Sequence, residues 1–348
     1  MNSWNFKAAR VVDTNKVELV GLSRAQQARV RLYEEALRRA KISEVPEPIF
    51  SGYFVRGSIG LPFATVLPAG NIEYGMCQAL HCEETAVAVL KACRGKDHAA
   101  IPVLGFCSKE ETEEPPTCCG NCRDILLDAF GPGLEFVAGK PDGGTAVVSK
   151  LSDLLCTCEE FDKLAPNEAG VGIGVVIETW QIGKNLACDP YSPADTHPER
   201  RYSVCIETVR GGLHFGGRDV MCDYHPIYPG RDAVRQAIRH RDPFVTRVVV
   251  VCDGTPISAD GRALPPHVLY KDRQHLLELN LQAELLLNKE QDPDVYLFTY
   301  TDPSQPGYHA DVPSSWHTTL KRWLPFPFTA RNFGPEFLKF AAGYYRRR

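Results

Sequence analysis

The chain has 348 residues, enough for two domains of ordinary size, each burying its own core. With 44% hydrophobic and 24% charged residues the composition excludes a disordered chain, and a formal charge of −4 argues against a broad nucleic-acid-binding face. The N-terminal stretch lacks the apolar core of a signal peptide, and no apolar run approaches the roughly 18 residues of a membrane span; with an odd count of 13 cysteines, this predicts a cytoplasmic protein with reduced thiols.

Residues 23–41 carry Ala25, Val30, Leu32, Tyr33, Ala36 and Leu37 at helical spacing behind Ser23, and predict an amphipathic helix closed by Pro46 and Pro48. Residues 52–58 and 62–68 read as a hairpin. A buried helix follows over 84–94, beginning near His81, and then a buried strand over 100–106. After an acidic loop, RDILLDAF (123–130) is helical until Gly131 and Pro132 stop it. Strands near 134–138 and 145–149 complete a βαβαβ-like order, which predicts a mixed sheet with helices packed on it. Residues 151–170 read as a connector. The pattern then begins again, with a helix over 171–187 and a hairpin from 202–209 and 213–221. Next come a helix over 230–241, a buried strand over 247–254 and a helix over 271–287.

Two short motifs carry chemistry. His81 and Glu83 form an H-x-E, and Cys119 and Cys122 form a C-x-x-C. One imidazole and two thiolates are three ligands that zinc accepts, with a fourth position left for water. Glu83, two residues from the histidine, would serve that water as acid and base. Taken alone, His81 suits a satisfied core histidine, and the cysteine pair suits a structural zinc or two buried thiols. In this order and beside Glu83 they point to a catalytic zinc site, the H-x-E … C-x-x-C signature of zinc-dependent deaminases. Both groups fall at strand-to-helix junctions, where helix N-termini help hold thiolates deprotonated. Glu84 reads as a structural or solvent-facing residue, Cys118 as a non-ligand thiol, and Cys77, Cys82 and Cys107 as core thiols.

The halves superpose by sliding. A shift of 147 places Tyr228 on His81 and Gly230 on Glu83, and a shift of 150 places Leu269 on Cys119, Asp272 on Cys122 and Arg273 on Arg123. The second copy therefore has none of the ligands, and one metal site per chain is expected.

The motifs Asn71-Ile-Glu73, His81-Cys-Glu83-Glu84-Thr-Ala86 and Cys118-Cys119-Gly120-Asn121-Cys122-Arg123 resemble those of cytidine deaminases, specifically the two-domain dimeric type. Pro190-Tyr-Ser also looks like a turn common in such domains, and WLPFPFTARNFGPEFL (323–338) resembles the segment that helps cover their active site. The resemblance implies two tandem three-layer α/β/α domains with mixed sheets behind an N-terminal helical segment. The corresponding boundaries are 1–48 for the helical segment, 49–165 for the catalytic domain and 166–348 for a degenerate deaminase-like domain. It further implies zinc held by His81, Cys119 and Cys122, with Glu83 shuttling protons. Asn71 and Glu73 would hydrogen-bond a ribose, and Phe326, Phe328 and Phe333 would lie over the substrate. On their own the first two would equally cap a turn, and the phenylalanines would belong to a core.

The implied activity is hydrolytic deamination of a cytidine-like nucleoside or cytosine-containing small molecule by a homodimer, with no membrane partner. Cys118 stands for the family's proline, Cys82 for its alanine and Asp124 for its glutamine, and the interval from Asn71 to His81 is shorter. These departures leave the metal chemistry intact and direct attention to the substrate, for which a specialised-metabolite intermediate is a candidate. The rival readings are a polynucleotide deaminase, opposed by the acidic balance, and a non-catalytic structural-zinc protein, opposed by an intact Glu83.

Overall fold

A computed structural model describes residues 10–13, 24–42, 55–60, 66–74, 78–94, 102–108, 118–139, 145–155, 161–165, 168–187, 202–218, 227–253, 262–300, 315–325 and 339. The chain divides into two compact units, Met1–Leu155 and Cys156–Arg348.

The first unit contains β1 (Arg10–Asp13), α1 (Arg24–Ile42), β2 (Val55–Gly60), β3 (Val66–Gly70), β4 (Ile72–Tyr74) and β5 (Gln78–Leu80). After these come α2 (Cys82–Arg94), β6 (Val103–Ser108), α3 (Gly120–Phe130), β7 (Glu135–Gly139) and β8 (Thr145–Lys150), then a short 3₁₀ turn at Leu151–Leu154. Its main sheet runs β1-β8-β7-β6-β2-β3, with β4 and β5 paired as a separate ribbon. Only β6 and β7 are parallel; the other neighbours are antiparallel.

Helices cover both faces of this sheet. Successive strand residues point to opposite sides, and β2 shows both. The Ser58 hydroxyl donates to the Ala36 carbonyl of α1 at 2.6 Å, while a Cβ on neighbouring Gly57 would fall 2.1 Å from Sγ of Cys82 in α2. On the α1 face Leu32, Ala36 and Leu37 pack against Val66, Val103 and Val137. Glycine at 105 is what allows α1 to lie so low, because a Cβ there would meet the Ala36 carbonyl oxygen at 2.6 Å.

The second unit contains β9 (Asp162–Leu164), α4 (Ile173–Ala187), β10 (Tyr202–Thr208), β11 (Leu213–Gly216) and α5 (Pro229–Arg239). It continues with β12 (Val245–Asp253), α6 (Tyr270–Leu287), β13 (Asp294–Tyr300), β14 (Ser315–Thr319) and α7 (Leu320–Trp323). Its sheet runs β11-β10-β12-β13-β14-β9, and again a single pair, β12 with β13, is parallel. Strand for strand this is the topology of the first sheet. Here too the layers alternate: Cys205 packs with Val176 and Trp180 of α4, whereas a Cβ on Gly216 would strike the Pro229 carbonyl of α5. Ser203 donates its hydroxyl to the Thr179 carbonyl of α4, as Ser58 does to α1. Val248, Val249, Val250 and Val251 are all buried, as a central strand with both faces covered demands.

Both units are thus three-layer α/β/α structures with mixed sheets. The expected helices are present at 24–42, 82–94, 120–130, 173–187, 229–239 and 270–287. The stretch 151–170, read as a connector, contains the 3₁₀ turn and β9. Strands β1, β4, β5, β9, β13 and β14 are likewise absent from the sequence reading; β1 and β9 are sheet edges of 4 and 3 residues, too short to show a period. Among the described residues no helix is long and apolar enough to cross a membrane.

Candidate metal centre

Helix α2 delivers the histidine. The Thr85 amide donates to the His81 carbonyl at 3.0 Å, the first bond of the helix, which makes His81 its N-cap. Apolar Cys82, Ala86, Val87 and Leu90 are buried and seat the helix on the sheet. Thr85 pins its start, accepting from the Gly70 amide at 3.2 Å and donating to the Gly70 carbonyl at 2.7 Å. Glu84 accepts from the His81 amide at 2.7 Å, the carboxylate half of a capping box. The imidazole is thereby free to turn away from its own helix.

Helix α3 delivers the sulfurs. Cys119 is its N-cap, with φ −66° and ψ 166° and no side-chain capping bond, so its thiol is also free to project. Cys122 lies one turn on and is completely buried. Arg123, also fully buried, holds this start in place: its Nε donates to the Cys118 carbonyl at 3.0 Å and a terminal nitrogen donates to the Leu154 carbonyl at 2.6 Å.

These two helix starts bring His81, Cys119 and Cys122 together, with all donor atoms within 4.8 Å of one another. Nδ1 of His81 lies 3.3 Å from Sγ of Cys119 and 3.4 Å from Sγ of Cys122. In a tetrahedral zinc site with ordinary Zn–N and Zn–S bond lengths, nitrogen and sulfur stand about 3.5 Å apart. The group therefore fits a metal ion in both donor type and spacing. Cys118 is buried but is not a member of this group.

The electrostatics suit a cation. The Cys119 thiol is held well below its ordinary pKa, first by a hydrogen bond with Cys122 and then by that with His81. Its hydrogen bond raises His81 to about 9; a metal competes with that proton, because it takes imidazole in the neutral form. Burial pushes the Cys122, Cys118 and Cys82 thiols up. Glu83 is buried and sits beside the ligands; burial and the Cys119 charge push it up to about 7, against the pull of His81, its own backbone and Cys122. A carboxyl in that range both takes and gives protons near neutral pH.

The other expected site residues are less concentrated. Asn71 sits where β3 runs into the β4–β5 ribbon; its amide oxygen accepts from the Val55 amide at 3.0 Å. Glu73 is on β4, paired with Ala79. Neither belongs to the ligand group. Phe326, Phe328, Phe333 and the Pro190-Tyr-Ser turn lie outside the described residues. Sequence reasoning gave Arg123, Thr85 and Asn121 no role; the visible signals were the match of Arg123 with Arg273 across the repeat and the spacing of Glu84 after the N-cap.

The second unit repeats the framework without the ligands. Helix α5 has Tyr228 as N-cap and α6 has Leu269, the positions matched with His81 and Cys119. Arg273, like Arg123, donates to the carbonyl five residues before it, Val268, at 3.0 Å and to a distant carbonyl, Trp323, at 2.9 Å. Asp272, in the place of Cys122, accepts from the Gly230 and Arg231 amides at 2.8 and 3.1 Å and from the Tyr202 hydroxyl at 2.7 Å. Glycine is needed at 230, because a Cβ would meet Asp272 Cβ and Cγ at 2.8 Å. Burial holds the Asp272 carboxyl above its ordinary range despite the three donors.

Among solved structures, several bacterial cytidine deaminases are similar to part of the chain. The Burkholderia pseudomallei enzyme matches at 21% identity over 38% of this chain and 97% of its own, with a TM-score of 0.30. Cytidine deaminase from Mycobacterium leprae matches at 22% over 36% and 96%, with a TM-score of 0.27, and that from Mycobacterium tuberculosis at 22% over 36% and 91%, with a TM-score of 0.26. No family profile and no curated protein matches the chain.

Proposed function

We propose that the chain is a zinc-dependent hydrolytic deaminase of a cytidine-like nucleoside or other cytosine-containing small molecule, working in the cytoplasm as a homodimer. What carries the reading is the union of His81, Cys119 and Cys122 within 4.8 Å with buried Glu83 two residues from the histidine. A purely structural site has no use for that carboxylate. Buried cysteines outside any disulfide at Cys82, Cys118, Cys119, Cys122 and Cys205 suit a reducing compartment. The shared topology of the two sheets supports an internal duplication whose second copy has no ligand group among the described residues.

Zinc held by these three side chains supplies Lewis acidity that lets water ionise near neutral pH. Glu83 handles the protons. In the net reaction water replaces the exocyclic amine at ring carbon 4, giving a uracil-type ring and ammonia. Glu83 takes one proton from the attacking water and hands it to ring nitrogen 3, then carries the second from the new hydroxyl to the departing amine. Backbone bonds from Thr85 and Arg123 hold the two helix starts still while this occurs.

The test is ammonia release over cytidine, deoxycytidine, cytosine, their phosphates and modified cytosine nucleosides, with single-stranded oligonucleotides in parallel. We expect turnover of a free nucleoside-type compound, and Glu83→Ala should keep zinc while losing several orders of magnitude in kcat. A fully active Glu83→Ala would overturn the proton shuttle. Turnover of oligonucleotides alone would reassign the substrate to nucleic acid.

A further inference from the structure

We propose that Glu84 is a positioning residue for the metal ligands: its carboxylate spans the two helix starts that carry them. One oxygen accepts from the His81 amide at 2.7 Å, and the other accepts from Nδ2 of Asn121 at 3.0 Å. Asn121 lies between Cys119 and Cys122 in the first turn of α3. The single carboxylate therefore joins the backbone of the nitrogen ligand to the turn that bears both sulfur ligands, across 37 positions of sequence. The spacing of His81 Nδ1 from the two sulfurs depends on how α2 and α3 start relative to each other, and this bridge acts at that point.

Helix geometry leaves Glu84 well suited to the task. An N-cap side chain ordinarily satisfies the first amides of its helix, but the His81 ring is turned toward Cys119 and Cys122. Glu84, at the third helical position, takes over the reciprocal bond to the N-cap amide, and its second oxygen is left to reach α3. Glu84 is half-buried, so the bridge is shielded in part from competing water.

The second unit supports the assignment. Its counterparts of Glu84 and Asn121, at the same shifts of 147 and 150, are Arg231 and Lys271, two cations that cannot form this bridge. There the connection runs the other way: Asp272 of α6 reaches the Gly230 and Arg231 amides of α5. In each unit a carboxylate ties the two helix starts together, from α2 to α3 in one and from α6 to α5 in the other. In the metal-binding unit the position used by Asp272 is occupied by a ligand, Cys122, so the tie has to come from elsewhere.

The proposal rests on the zinc reading of the site and not on deamination, so it is tested by metal retention. The full-length protein loaded with zinc is challenged with a chromogenic chelator, and the protein loaded with cobalt is read by its ligand-field bands. Glu84→Ala and Asn121→Ala should each release zinc about tenfold faster or more, the range typical of residues that orient metal ligands. The double variant should be no worse than the poorer single one. Glu84→Gln, which can still accept from the His81 amide and bond Asn121 once the Asn121 amide turns over, should stay within about threefold of the native rate. The cobalt bands should shift in the alanine variants and not in the glutamine variant.

Native-like zinc release by Asn121→Ala, or multiplicative effects in the double variant, would overturn the bridge. An equal loss in Glu84→Gln and Glu84→Ala would assign the effect to charge and overturn it too. If Glu84→Ala fails to fold, Asn121→Ala and Glu84→Gln decide the matter. Absence of zinc binding altogether would sink the underlying site, and absence of ammonia release with these metal results intact would sink only the deaminase reading.

Discussion

Alanine at position 57 should lift helix α2 from its sheet and weaken the hold on His81 and Glu83. A Cβ there would lie 2.1 Å from Sγ of Cys82 and 3.1 Å from the Gly105 carbonyl oxygen. Ordinary non-bonded contact is about 3.5–4.0 Å, so the Cys82 side chain must leave its rotamer within a buried site, or the helix or the strand must give by more than about 1 Å. The Thr85 bonds to Gly70 tie α2 to the adjacent strand, and β2 is paired on both edges, so neither moves freely. Overpacking of this kind costs about 1–3 kcal/mol. For a unit of 155 residues each kcal/mol lowers the melting temperature by about 2–4 °C, so a fall of about 2–12 °C is expected. Cys82→Ala leaves a small void and should cost about 1 kcal/mol. In Gly57→Ala/Cys82→Ala the new methyl group occupies the space of the missing sulfur, and most of the loss should be regained. Denaturant unfolding of the three variants forms a double-mutant cycle, with coupling of about 1 kcal/mol or more expected. Costs that simply add, within about 0.5 kcal/mol, would refute the steric account. This packing also gives a reason for Cys82 where the resemblance has alanine: the sulfur fills what Gly57 leaves open.

Arg123→Ala and Arg273→Ala each strip a fully or almost fully buried guanidinium from two carbonyls. Each should lower stability by at least about 3 kcal/mol in denaturant unfolding, and a loss under about 1 kcal/mol would refute the role given to these bonds. Asp272→Asn should change how stability responds to pH. Burial raises the folded-state pKa of Asp272, so the folded state keeps a proton that the unfolded chain has released. That contribution is present at low pH and fades as pH rises from about 4 through the raised folded value. The difference between native protein and Asp272→Asn should therefore move in favour of the variant across that window, and a difference flat with pH would contradict the assignment. Cys118→Ala should retain about one zinc per chain, measured by atomic emission, whereas Cys119→Ala should lose it; equal losses would place Cys118 among the ligands.

Local spacing alone determined much of this protein. The turn of a helix sets the distance between Cys119 and Cys122 and places Glu83 just beyond His81, so the candidate metal-binding group and its carboxylate were legible in two motifs of three and four residues. Helical spacing of apolar residues marked α1, apolar helix-forming runs marked the other five long helices of the described residues, and the buried valines marked β12. Tertiary structure decided the rest, because those contacts join residues with no sequence relation. Ser58 meets Ala36 and Gly57 meets Cys82 only once α1 and α2 lie on opposite faces of one sheet, and Glu84 meets Asn121 only once α2 and α3 start side by side. The edge strands β1 and β9 are too short to display a period and owe their extended form to the hydrogen bonds of β8 and β14. That Asp272 replaces a sulfur ligand could be read by alignment. That its carboxylate then caps α5 through Gly230 and Arg231 follows from helix α6 starting beside α5, since unsatisfied amides at a helix start draw the nearest buried anion.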